Sequence, residues 1–219
     1  MAVPYTTPTS DASEWTQTEL DAYNIRFGFQ NATTFFNTPI QPEPTANQKL
    51  DLATLPAETE GLAVDDFALA LFHTLGCTHR PRAVRTRKET RLLICGEYEH
   101  AKPDVCIIDR SKDDEHFGRG PDAFARLVAE AITSRPTTLV GGPQGLDPLE
   151  DKTIPCIIMV GTSPTLFKVP ITTELVQCVQ RGEYPTTPMV VLGYVPDIPR
   201  PTRRRSEGMK PLDNRRIIL

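Results

Sequence analysis

The sequence predicts an α/β domain with a central mixed sheet flanked by helices, and three observations carry that expectation. Apolar periodicity along the chain runs helix, strand, strand, loop, helix, strand, strand, helix, strand, an order that suits a mixed sheet with helices on its faces. The strand-like runs, such as RLLIC, VCIID and IPCIIMV, are short and bounded by turn residues. At 219 residues and 39% hydrophobic content the chain can build one core, while 21 prolines and 13 glycines make about one residue in six a breaker. One domain, 61–195, with long appendages is therefore expected.

Residues 1–13 are rich in Thr, Pro and Ser and are expected to be disordered. Order begins at Trp15. Thr16 and Glu19 have capping-box spacing, and Trp15 with Leu20 occupies the hydrophobic-staple positions, so a short helix starts there. Ile25, Phe27 and Phe29 then alternate as a short extended piece. Because two helical turns are not stable alone, 14–36 is read as a strap docked across the core. Residues 37–60 are a Pro/Thr/Ala linker.

From Gly61 to Gly76 the pattern turns helical, with Asp65 and Asp66 in the first turn and Gly76 as C-terminal cap. Phe67 to Leu75 is apolar on nearly every face, which predicts burial of the helix and of His73 with it, as a packed rather than metal-binding residue. Next comes TRLLICGEYEHAKPDVCIID, residues 90–109. Arg91 to Cys95 and Val105 to Ile108 read as the two strands of a hairpin at the centre of the sheet, joined by a polar turn, with Pro103-Asp104 at the mouth of the second. SKDDEHFGRG reads as a polar loop. Phe124, Leu127, Val128, Ala131 and Ile132 fall on one face of a helix from Asp122 to Ile132. After a Gly/Pro loop, Ile154 to Val160 and Leu166 to Ile171 form a hairpin about Gly161 to Pro164. Thr172 opens a helix closed by Gly182, and Met189 to Val195 is the last strand. Residues 196–219 read as a basic, Pro-rich tail.

The net charge of -4 hides an uneven distribution. Between His79 and Arg91 stand Arg80, Arg82, Arg85, Arg87, Lys88 and Arg91 against Glu89. Between Arg200 and Arg216 stand Arg200, Arg203, Arg204, Arg205, Lys210, Arg215 and Arg216 against Glu207 and Asp213. Each block carries +5, on a remainder of -14. Such blocks contact nucleic-acid phosphate or pair with the acidic body itself, and paired or solvated runs are the commoner case. The nucleic-acid contacts to test are Arg80, Arg82, Arg85, Arg87, Lys88, Arg203, Arg204 and Arg205.

Five cysteines, without a CxxC pair, argue against a zinc ribbon or a redox motif and for reduced structural thiols. The first ten residues have neither a basic start nor an apolar core, and no apolar run approaches 18 residues, so no signal peptide or membrane span is expected. A cytoplasmic or nuclear protein, not a secreted one, fits these features. No GxGxxG or GxxxxGK[ST] follows a strand, and Ser163 is not in a nucleophile elbow.

The hairpin carries the one constellation with chemistry in it. Glu97, Glu99 and His100 lie in its turn near Asp104, a set of oxygen and nitrogen donors that fits a metal site and equally fits a solvated acidic turn. The strings AVDDFALALF, RLLICGEYEHAKPDVCIID, IIMVGTSPTLFKVPITTELV and PDIPRPTRRRSEGMKPLDNR, with WTQTELDAYNI, resemble a large group of uncharacterised proteins from mushroom-forming (basidiomycete) fungi over most of the chain. The layout of that group is similar to the PD-(D/E)XK nuclease-like fold, a restriction-endonuclease-like core: a helix, a hairpin ending in Asp, a third strand with Glu-x-Lys, a helix and a further strand.

The resemblance implies that Asp104 matches the first acid and that the helix from Asp122 matches the one after the third strand. Hydrolysis in such a fold needs two carboxylates on neighbouring strands to share Mg2+ or Mn2+, and a lysine to orient the attacking water. This chain departs from the pattern, because Arg110 leads into SKDDEHFGRGP with neither an apolar run nor Glu-x-Lys. Glu115 and Lys112 are the remaining catalytic candidates beside Asp104, and Glu97 is a second metal ligand. The strand carrying Glu-x-Lys is thus missing, and a degenerate, non-catalytic nuclease-like domain acting by binding is expected. The alternatives are an active metal-dependent nuclease cutting DNA or RNA, and a protein-interaction module whose basic tracts meet an acidic partner.

Overall fold

The computed structural model describes residues 15–38, 62–76, 82–86, 90–101, 104–109, 123–133 and 151–218. The expected disordered N-terminus, most of the linker and the 110–122 and 134–150 loops lie outside them. The architecture is mixed α/β, built on a four-stranded mixed sheet whose strands lie in the order Ile25–Gln30, Met189–Tyr194, Ser163–Ile171, Lys152–Val160. No helix among the described residues is long and apolar enough to cross a membrane.

The first described element, α1 (Gln17–Ala22), is opened by the capping box the sequence predicts: Thr16 Oγ1 accepts from the Thr18 N–H at 3.2 Å and Glu19 accepts from the Thr16 N–H at 2.7 Å. Trp15 and Tyr23, both fully buried, stack at 5.3 Å and anchor this turn to the core. Asn24, at φ 52°, then redirects the chain into β1 (Ile25–Gln30). The segment read as a strap thus contributes an edge strand, parallel to β8 (Met189–Tyr194), with Ile25 opposite Met189 and Gln30 opposite Tyr194. A short helix, α2 (Ala32–Phe36), follows, capped by Asn31.

The β6 (Lys152–Val160) and β7 (Ser163–Ile171) hairpin forms as expected, with Gly161 and Thr162 as its tight turn. Pro155 sits on edge strand β6, where the missing N–H is tolerated. Pro164 and Pro170 of β7 fall outside its three-residue ladder with β8.

Strand periodicity divides the core into two faces. On one, Ile25, Met189, Val191, Phe167, Val169, Ile171, Ile154 and Cys156 are buried under α1, α4 (Ala123–Thr133) and α5 (Thr173–Arg181). Helix α5 has the predicted ends: Thr172 Oγ1 accepts from the Leu175 N–H, and Gly182 at φ 68° closes it. On the other face, Met159 packs with Phe67 and Leu71 of α3 (Leu62–Thr74) and with Met209, and Tyr194 stacks on Phe35 of α2. Helix α3 ends at Gly76 in the left-handed region, as expected. Its buried stripe is narrower than its composition suggests, however, and His73 is exposed rather than packed.

Composition also concealed order in the C-terminal segment. A 3-10 turn (Pro201–Arg203), α6 (Arg204–Glu207) and α7 (Leu212–Ile218) fold back on the sheet, with Met209 and Asn214 fully buried. Arg200 organises the turn. Its guanidinium donates to both Asp213 carboxylate oxygens at 2.8 and 2.9 Å and to Glu207 at 2.8 Å. Gly208, at φ 50° and ψ -126°, brings the chain against the β6–β7 turn, where Thr162 Oγ1 accepts from the Met209 N–H.

Candidate functional site

The strand that Asp104 precedes is not part of the four-stranded sheet and does not pair as the sequence suggests. Residues Arg91 to Cys95 were expected to pair with Val105 to Ile108. Instead β3 (Thr90–Ile94) pairs with β4 (Glu97–Ala101), the stretch whose polar composition reads as a turn. The cause is local. Cys95 and Gly96 both take positive φ, 50° and 86°, which is the backbone of a two-residue hairpin turn and leaves Glu97 to Ala101 free to run back along β3. The turn is pinned to the core by the Cys95 N–H, which donates to the Val179 carbonyl at 3.0 Å, and by Ile94, which is fully buried.

Strand β5 (Val105–Asp109) takes its partner from the basic block instead. It is antiparallel to β2 (Arg82–Thr86), with Arg82 opposite Asp109 and Thr86 opposite Val105. Asp104, half-buried, stands immediately before β5. Glu97 is exposed and begins β4, in a different ladder and next to the Cys95-Gly96 turn. Four residues of strand at about 3.4 Å each separate Glu97 from Ala101, the end of β4 nearer Asp104 in the chain. Glu99 and His100 are within β4 rather than in a turn. Lys112 and Glu115 lie outside the described residues. Among the described residues no three His, Cys, Asp or Glu side chains converge where a metal ion would be held.

The two basic blocks acquire different characters. In β2, Arg82 and Arg85 are exposed, but three residues along a strand place them on opposite faces of the ribbon. Arg80, Arg87 and Lys88 are outside the described residues. In the C-terminal block several of the arginines are engaged within the fold, while Arg203, Lys210 and Arg216 remain exposed. Arg200 is held by Glu207 and Asp213, Arg203 pairs with Glu207 at 3.3 Å, and Arg215 donates to the Met209 and Lys210 carbonyls. Arg204 donates to the Pro196 carbonyl at 2.9 Å, to the Pro164 carbonyl and to Thr165 Oγ1 at 3.3 Å. Arg205 belongs to α6.

A cavity of about 540 Å³ opens where the parallel strands β1 and β8 end, lined by Gln30, Asn31 and Thr33 on one side and by Tyr194, Asp197 and Arg204 on the other. In open α/β sheets the carboxyl ends of parallel strands are where ligands bind, and the volume is in the range of small-molecule sites. Burial lowers the Arg204 pKa, and no carboxylate oxygen among the described residues lies within 4.0 Å of its guanidinium. Burial, and then the charge of Asp197, push the Tyr194 phenol up, against the opposing charge of Arg204.

Sequence reasoning named Arg204 only as a phosphate contact and missed the cavity. Its walls come from three segments that no spacing rule connects, and only the parallel pairing of β1 with β8 brings them together. Comparison with protein-family models, with curated proteins and with solved structures gave no match.

Proposed function

We propose that this chain is a non-catalytic binding domain with a nuclease-like layout, in which the position of a metal-binding acid survives as Asp104 without its catalytic partners. One observation carries the reading: the strand hydrogen-bonded beside β5 is Arg-Ala-Val-Arg-Thr, which has no carboxylate. Metal-assisted phosphodiester hydrolysis needs acids from adjacent strands in one coordination sphere. The neighbouring strand brings Arg85, opposite Cys106, and Arg82, opposite Asp109, in place of a second acid, and exposed arginines suit contact with phosphate rather than activation of water.

Arg82 and Arg85 of the first basic block are exposed and are the contacts to test first, since Arg200, Arg204 and Arg215 of the C-terminal block already donate to acceptors within the fold. A plasmid-nicking assay with Mg2+ or Mn2+, comparing the intact chain with Asp104→Ala, tests the absence of catalysis. No nicking by either protein is expected, and metal-dependent nicking that Asp104→Ala abolishes would establish the nuclease reading in its place. Binding to labelled DNA and RNA across a salt series tests the partner. Affinity that falls steeply with salt, and falls again in Arg82→Ala and Arg85→Ala, marks phosphate contacts. Salt-insensitive binding, or none, points to a protein partner.

A further inference from the structure

The cavity at the carboxyl ends of β1 and β8 is on the main sheet, away from the β2–β5 ribbon, and its chemistry can be read separately from the reading above. Arg204 enters it already oriented. Three of its five N–H groups are spent on the Pro196 and Pro164 carbonyls and on Thr165 Oγ1, which leaves Nε–H and one Nη1–H without an acceptor among the described residues. Those carbonyls fix the guanidinium but do not neutralise it. A half-buried cation without a counter-charge is costly, and the geometry that holds it there is what an anion would need.

The opposite wall adds to this. Asn31 spends its side-chain oxygen on the Thr34 N–H at 2.9 Å, so the group it has left to offer is its amide N–H2. Thr33 lies beside it, while Pro196, Ile198 and Pro201 supply apolar surface. Asp197 is exposed, so its charge sits toward solvent. We infer that this pocket binds a small organic anion, a carboxylate or phosphate monoester carrying a compact apolar group, with the anion on Arg204 and the Asn31 amide and the apolar part against the proline-rich wall.

Benzoate and phenyl phosphate, titrated separately into the full chain by calorimetry, test this and distinguish the two acid types. Saturable binding of at least one, with Kd of about 1 mM or tighter, is expected. Ala32→Trp fills the cavity from a half-exposed position without touching the bonds of Arg204, and should abolish binding while leaving the melting temperature unchanged. Asp197→Asn removes the acid at the rim and should tighten binding severalfold. Failure of both probes to bind, or binding that Ala32→Trp leaves unchanged, would overturn the assignment. Neither result depends on whether the chain nicks DNA or binds it.

Discussion

Gly208→Ala is the substitution for which the structure gives the most definite expectation. The residue sits at φ 50° and ψ -126°, outside every region that a side chain tolerates well, and holding a non-glycine residue there costs about 1–3 kcal/mol. The added Cβ would also lie 2.3 Å from Thr162 Oγ1 and 2.9 Å from the Thr162 carbonyl carbon. The hydroxyl cannot swing aside freely, because it accepts from the Met209 N–H, and losing that bond costs about another 1 kcal/mol. Restricting the unfolded chain returns less than about 1 kcal/mol. The net penalty is about 1–3 kcal/mol, and it falls on the docking of the C-terminal segment rather than on the whole molecule. Trypsin reads this directly, since Arg203, Arg204, Arg205, Arg215 and Arg216 all lie in that segment and none precedes a proline. With cleavage limited by the open population, each 1.4 kcal/mol or so is tenfold, so cutting in 203–216 should accelerate by about five- to a hundred-fold. Thr162→Ala in the same background should restore only part of the resistance, because the backbone strain persists. Cleavage within about threefold of the parent, on that same scale, would show that Gly208 does not seat this segment.

The remaining expectations concern charge, caps and thiols. Hydrogen bonds from Arg200 hold both Glu207 and Asp213 below the usual carboxylate range. Their contribution is complete above the unfolded pKa values and is lost as pH falls through the lower folded ones, below about pH 4. A melting-temperature series in acid should therefore fall more steeply for the parent than for Asp213→Asn, and equal slopes would refute the clasp. Thr172→Ala removes the acceptor for the Leu175 N–H and should cost about 1 kcal/mol in urea unfolding, with the slope unchanged. Burial, reinforced by the charge of Glu130, raises the Cys156 thiol well above its ordinary value, whereas Cys178 is partly exposed. Mass-spectrometric mapping after brief alkylation at neutral pH should find Cys178 modified and Cys156 intact, with Cys156 reacting only on unfolding.

What could be read from the chain was what local chemistry decides. Thr16 with Glu19, Thr172 with Gly182 and the alternation of Ile154 to Ile171 each depend on neighbours within a few residues, and each is found where the residues place it. The misreading of 90–109 has the opposite origin. Two apolar runs flanking a polar stretch resemble a hairpin, but Cys95-Gly96 makes a tighter turn than composition reveals, and the true partner of β5 precedes both runs. His73 was misassigned because a nearly all-apolar sequence does not show which side of a helix meets the sheet. The C-terminal segment looked like a basic tail because the arginines are conspicuous in the sequence. The groups that absorb them, Glu207, Asp213 and a handful of backbone carbonyls, are ordinary until the fold collects them.

The parallel pairing of β1 with β8 bears on the order in which the molecule is made. Strand β1 is synthesised before every other strand of the four-stranded sheet, yet its hydrogen-bonding edge finds its partner only after Tyr194 has been made. The β6–β7 hairpin and α5 lie close together in the sequence and can assemble beforehand, whereas β1 must close a loop of more than 150 residues. Until then β8, which joins β1 to the strand of Phe167, is absent, and Phe27 and Phe29 belong to an aromatic strand without its ladder partner. Such a strand is a natural substrate for chaperones and a hazard for aggregation, so a protein delayed before residue 189 is exposed to both.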